Sequence, residues 1–214
     1  MEHLGQIGHL VSRRAPHTPL VSLTPGGEGE TMTTIIGVQY DDHCLFMADN
    51  QVTLDGGRRY KHPDMKKISK VGEYLVAGSG EVAPCDIAQH LWNPPAMSAK
   101  DRKDTYHFVI AKLMPSLRKC LEDNGYDFDE GKSDGKSGES RFNLLIAANG
   151  QIFDIADDMS VCMSDAGFYG VGSGSPYALG ALYGGVKPEK AMAVAEKIDV
   201  NTSGPFQKEI QYKK

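Results

Sequence analysis

The order of elements along this chain is that of an α+β protein. It is compatible with two β-sheets packed face to face with helices outside both, a four-layer αββα sandwich. Three observations carry the expectation. β-branched and apolar runs separated by turn signals open at Thr33–Tyr40 and Cys44–Asp49 and return at Phe142–Ala148. Helical periodicity interrupts them twice, in two helices before Phe142 and two after Tyr177. At 214 residues the chain is long enough for one domain with a sizeable core.

Residues 1–32 mix Gly, Pro, His and Ser with little periodicity, a disordered or processed composition. Two accounts compete for this stretch: a propeptide cut before Thr33, or an upstream over-extension of the reading frame with Met32 as the true start. The working domain is expected to be 33–214. Asp41-Asp42 joins the first two strands, and Gly56-Gly57 marks a loop. Met65–Val71 and Tyr74–Ser79 form a second strand pair about Gly72-Glu73. Val82–Trp92 fits a helix, stopped by Asn93-Pro94-Pro95. Thr105–Asp123 is a longer amphipathic segment whose apolar stripe is Tyr106, Ile110, Leu113, Leu117 and Leu121, with a kink implied at Met114-Pro115. Gly125–Ser140 is a polar insertion, and its Gly-Lys-Ser lacks the spacing of a phosphate-binding loop. Strands resume at Phe142–Ala148, Gln151–Asp154 and Met159–Met163, with Asn149-Gly150 the strongest hairpin signal in the chain. Helices at Tyr177–Tyr183 and Pro188–Ile198 and a tail strand at Phe206–Tyr212 close the order.

Composition narrows the function. The net charge of −5 is mild and dispersed, which points to neither nucleic acid nor an anionic membrane as partner. No run approaches the roughly eighteen apolar residues of a membrane span. The four cysteines, Cys44, Cys85, Cys120 and Cys162, are scattered without a Cys-x-x-Cys pair, as expected of reduced thiols in a cytoplasmic protein. The seven histidines contain no His-Glu-x-x-His pattern, and no Gly-x-Ser-x-Gly elbow surrounds Ser79, Ser173 or Ser175.

Thr33 is the residue with distinctive chemistry. As a first residue it would carry a nucleophilic hydroxyl and an α-amine titrating near ~7.7–8.0, base and nucleophile on one unit. On these residues alone, Thr33-Thr34-Ile35-Ile36 is equally a β-branched strand start. The wider pattern decides between them. Thr33-Thr34-Ile35, Ala48-Asp49-Asn50-Gln51-Val52-Thr53, Met65-Lys66-Lys67-Ile68, Gly78-Ser79-Gly80, Gly172-Ser173-Gly174-Ser175-Pro176-Tyr177-Ala178-Leu179-Gly180 and Asp199-Val200-Asn201-Thr202-Ser203-Gly204 follow in order. Together they resemble the proteasome β-type and HslV-type threonine peptidases of the N-terminal-nucleophile hydrolases, from Thr33 to Gly204.

The resemblance implies a set of roles. Thr33 would attack the peptide carbonyl while its own amine takes the proton through a water. Lys67 would keep that amine neutral, and Asp49 would hold Lys67 charged and oriented. Gly80, or Gly78, would donate its N–H to the developing oxyanion. Ser173 would hydrogen-bond the amine, with Asp199 and Thr202 holding the network around it; the bland roles of these three are a helix N-cap and a helix end. In HslV-like proteins carbonyls in this region hold a monovalent cation such as Na+, which would implicate Glu196, Asp199 and Thr202; no other cofactor is expected. The resemblance also implies a homo-oligomeric ring, unfolded polypeptide as substrate and an ATPase unfoldase or gatekeeper as partner. The rival readings are an N-terminal-nucleophile amidohydrolase on a small amide and an inactive ring subunit.

Overall fold

The computed structural model describes residues 30–54, 58–129 and 141–214. The expectations for residues 1–29, Gly56-Gly57 and most of the polar insertion lie outside the described residues. Among the described residues every strand pair is antiparallel. One sheet centres on β7 (Tyr74–Glu81), followed by β8 (Phe142–Ala148), β9 (Gln151–Ala156) and β10 (Val161–Cys162). The opposite edge of β7 carries β6 (Ile68–Val71) at its start and β1 (Glu30–Thr31) at its end. The second sheet runs β11 (Phe168–Val171), β2 (Ile35–Gln39), β3 (His43–Ala48), β12 (Gln207–Tyr212). A separate ribbon pairs β4 (Val52–Leu54) with β5 (Arg58–Tyr60).

Alternation along the strands distributes the core. From β2, Ile35 joins Phe46, Leu75, Leu145 and Ile152 in a cluster shared by the two sheets. Its neighbours Ile36 and Val38 turn the other way, onto Ala178 and Leu182 of α4 (Ser175–Tyr183) and Ala191, Met192 and Ala195 of α5 (Pro188–Ile198). From β8, Phe142, Leu144 and Ile146 face a third cluster with Cys85 of α1 (Val82–Asp86), Phe108 of α2 (Thr105–Phe108) and Leu117 and Leu121 of α3 (Met114–Asp123). Each fully buried Leu, Ile or Phe in these clusters contributes about 1.5–3 kcal/mol of transfer free energy.

The helices depart from the simple 3.6-residue pattern. A π-helical turn, Ile87–Leu91, extends α1, and another, Val109–Leu113, joins α2 to α3. The second one corrects the predicted stripe. Tyr106 and Ile110 are 48% and 42% exposed, while Phe108 and Val109 are buried with Leu113, Leu117 and Leu121. A π turn inserts a residue into the repeat, so the buried face N-terminal to it rotates. The π turn ends two residues ahead of Pro115, which lies inside a helical run continuing from α2, where a proline cannot donate to the preceding turn. The strand expected over Met65–Val71 starts only at Ile68, leaving Lys66 and Lys67 in the preceding loop. Asn149 and Gly150 have φ of 50° and 76°, as a type I′ hairpin turn requires. Two features were not legible: the ribbon β4–β5, and the pairing of Glu30–Thr31, within the stretch expected to be disordered or processed, with β7.

Candidate active site

Asp49 follows the last residue of β3 and is 1% exposed, a position where an unpaired carboxylate is costly. It is saturated instead. Its Oδ1 accepts the Thr33 hydroxyl at 3.0 Å, the Thr34 amide at 2.8 Å and Lys67 Nζ at 2.6 Å. Its Oδ2 accepts the Gln51 amide at 2.9 Å, and its own N–H donates to Thr34 O at 3.0 Å. Lys67 Nζ also donates to Gln51 O at 2.5 Å. Burial pulls the Lys67 ammonium below the ordinary lysine range, and the charge of Asp49 opposes that pull. Thr33, itself 1% exposed, therefore sits with its hydroxyl on a carboxylate oxygen that an ammonium shares.

A second network lies on the other side of Thr33, where β11 gives way to α4. Gly172 has φ +89°, and a side chain there would run into the Thr33 carbonyl. Ser173 Oγ donates to Asp199 Oδ2 at 2.9 Å and lies 3.5 Å from Thr33 O. Thr202 Oγ1 donates to the same Asp199 oxygen at 2.7 Å and lies 2.5 Å from Thr34 Oγ1. Asp199 Oδ1 takes the Asn201 amide at 3.1 Å. Ser173 is thus not a helix cap: the residue capping α4 is Gly174, without a side-chain bond. Asp199 does close α5, donating its N–H to Ala195 O at 2.8 Å, so it serves helix end and network together.

Glu196 stands apart from this network, accepting the Gly204 amide at 2.9 Å. Among the described residues no three His, Cys, Asp or Glu side chains gather as a metal site. Glu196 Oε1 and both Asp199 carboxylate oxygens accept hydrogen bonds, and the monovalent cation expected in this region is one held by main-chain carbonyls. Gly80 has φ +101° and lies against Arg141 O and Phe142 of β8, in register with Thr31 of β1. Gly78 has a different constraint: a Cβ there would lie 2.5 Å from Cys85 Sγ and 2.8 Å from Leu144 Cδ2.

Beside Thr33 opens a cleft of about 280 Å3. Val52, Met65, Gly78, Val82 and Cys85 supply apolar wall, and Asp64, Lys66, Asp86 and His90 add charged or titratable groups. The residues just ahead of Thr33 are extended here: Met32 bridges Thr53 of β4, and Thr31 pairs with Gly80 of β7. The structure brings Thr33, Asp49, Lys67, Ser173, Asp199 and Thr202 together. Sequence reasoning missed Thr34, quoted with its neighbour but given no role, and the buried amides of Gln51 and Gln89, which have no local signature.

The sequence matches no protein-family model and no curated protein. Solved structures match it along most of its length. A BPH of Thiobacillus denitrificans in complex with epoxomicin is 23% identical, with 85% of this chain and 100% of that chain covered and a TM-score of 0.64. HslV of Trypanosoma brucei is 20% identical, with 83% and 98% covered and a TM-score of 0.54. The ancestral β-subunit Anbu of Yersinia bercovieri is 13% identical, with 84% and 81% covered and a TM-score of 0.58. The chain has the proteasome-type fold of the N-terminal-nucleophile hydrolases.

Proposed function

We propose that the chain is a threonine-type endopeptidase subunit of a self-compartmentalising protease, with Thr33 as the first residue of its working form. The observation that carries this reading is the Asp49 oxygen shared by the Thr33 hydroxyl and the Lys67 ammonium. Once the Met32–Thr33 bond is cut, Thr33 Oγ attacks a peptide carbonyl and passes its proton to the new α-amine through a water. Lys67 disfavours a second positive charge nearby and so keeps the amine a base. The Gly80 N–H takes the oxyanion. The amine product leaves, and water releases the acyl group from Thr33.

The extended path of residues 30–32 between β4 and β7 favours a polypeptide substrate over a small amide. In this reading the three core clusters are the interfaces of an αββα sandwich, and residues 1–32 are a leader or an upstream extension. Subunits assemble into a homo-oligomeric ring that receives unfolded chains from an ATPase, in the cytoplasm. No helix among the described residues is long and apolar enough to cross a membrane. A monovalent cation, where one binds near Glu196, Asp199 and Thr202, would rest on main-chain carbonyls.

The test compares protein beginning at Thr33 with its Thr33→Ala variant on casein and on a small amide. The account expects casein cleavage, a transient acyl mass on the Thr33 peptide, and loss of both in the variant with assembly intact. Equal turnover by Thr33→Ala removes Thr33 from the mechanism.

A further inference from the structure

Lys67 is held by more than its ion pair. It precedes β6, an edge strand that among the described residues pairs with β7 alone, so the backbone at Lys67–Ile68 needs other partners on its open side. A side-chain amide from the other sheet supplies them. Gln207 Oε1 accepts the N–H groups of both Lys67 and Ile68 at 3.1 Å, and Gln207 Nε2 donates to Ile68 O at 2.6 Å. Gln207 opens β12, where its own backbone is in register with Ala48, the residue before Asp49. One residue therefore ties the strand end bearing Asp49 to the loop end bearing Lys67, across two sheets. On the helical side, Gln89 of the π turn donates to Lys67 O at 3.4 Å and accepts from Ser69 Oγ at 2.9 Å.

We infer that Gln207, assisted by Gln89, is a positioning residue that sets the separation of Lys67 from Asp49 and Thr33. Neither amide touches the reacting atoms; both act through the Lys67 backbone. This rests on the peptidase reading above. When Lys67 drifts from Thr33, the α-amine loses the cation that disfavours its protonation, and its pKa rises. Among the described residues the Gln207 side chain bonds to the Lys67–Ile68 backbone, and not to Asp199 or the cleft groups Asp64, Lys66, Asp86 and His90; Asp49 shares the Lys67 ammonium, so a moved titration reports the Lys67–Asp49 pair.

The experiment measures pH–rate profiles of peptide hydrolysis for wild type, Gln207→Met, Gln89→Met and Thr33→Ala, each assembled and each with its melting temperature recorded. Methionine keeps the length of glutamine and removes its hydrogen bonds. In Gln207→Met, kcat falls about ten- to a hundredfold, as misplacement of a catalytic group does, and the acid limb moves to higher pH. Gln89→Met moves the limb the same way by less, and it decides the question if Gln207→Met does not fold. A folded variant whose acid limb coincides with wild type, whatever its melting temperature, overturns the inference. Thr33→Ala separates the two failures: if it is as active as wild type, the peptidase reading falls; if it is inactive while the limb stays fixed, only the positioning role falls.

Discussion

Thr33 reaches Asp49 through one hydroxyl, and Lys67 reaches the same oxygen through one ammonium, so a variant of Lys67 that keeps the charge tests what that charge does. The proposed mechanism needs Lys67 protonated. Its pKa lies below the usual 10.5 because burial disfavours the charged form. As pH rises the proton therefore leaves earlier than from a free lysine, and the basic limb of activity falls below that value. The sign for stability is opposite: below its folded pKa the buried charge costs stability, and that cost disappears as pH rises toward the unfolded value. Lys67→Arg, whose guanidinium stays charged, should carry any residual activity to higher pH; an unmoved basic limb assigns that limb to another group. Gly174 shows how tightly the neighbouring network is packed. A side chain there would meet Thr34 Oγ1, Thr202 Oγ1 and Asp199 Oδ2, so Gly174→Ala should destabilise by about 1–3 kcal/mol in denaturant unfolding. The thiols give a chemical check. Cys44 and Cys85 are buried with pKa pushed up to about 12, whereas Cys162 is exposed. Iodoacetamide at pH 8 should label Cys162 first and spare Cys44 and Cys85, read by peptide mass mapping.

The helices α2 and α3 are where element-level reasoning is most exposed to test. Leu117 is fully buried and Ile110 is 42% exposed, although both lie on the stripe that a regular helix would bury. Leu117→Ala should cost about 2–5 kcal/mol and lower Tm by roughly 5–15 °C. Ile110→Ala should stay within about 0.5 kcal/mol. Equal losses would mean that the π turn at Val109–Leu113 does not rotate the face. The same pair shows what the sequence carried. Leu113, Leu117 and Leu121 were legible because, from the last residue of the π turn onward, they follow ordinary helical spacing, and Asn149-Gly150 was legible because few residues tolerate positive φ. The π turn was not, since nothing local to Val109–Leu113 distinguishes an inserted residue from a regular turn. At the site, the order of motifs pointed to Thr33, Asp49, Lys67, Ser173, Asp199 and Thr202, and the fold brings these six side chains together. Gln207 was not, because its partners, Lys67 and Ile68, are 140 and 139 residues away and only sheet packing brings them together.

Across the whole molecule, the two networks meet at one residue that still has chain ahead of it. Thr33 N is here the peptide nitrogen after Met32, and residues 30–32 lie along β4 and β7. Both hydrogen-bonded networks and the cleft converge on a position that the proposed mechanism requires to be a chain terminus. The measurement that tests this most directly is N-terminal sequencing and intact mass of the species that degrades casein, isolated after labelling in turnover. The account predicts that threonine 33 is first and that the acyl group resides on it. Full activity in protein that still carries Met32 would contradict the account, because an amide nitrogen cannot accept the proton.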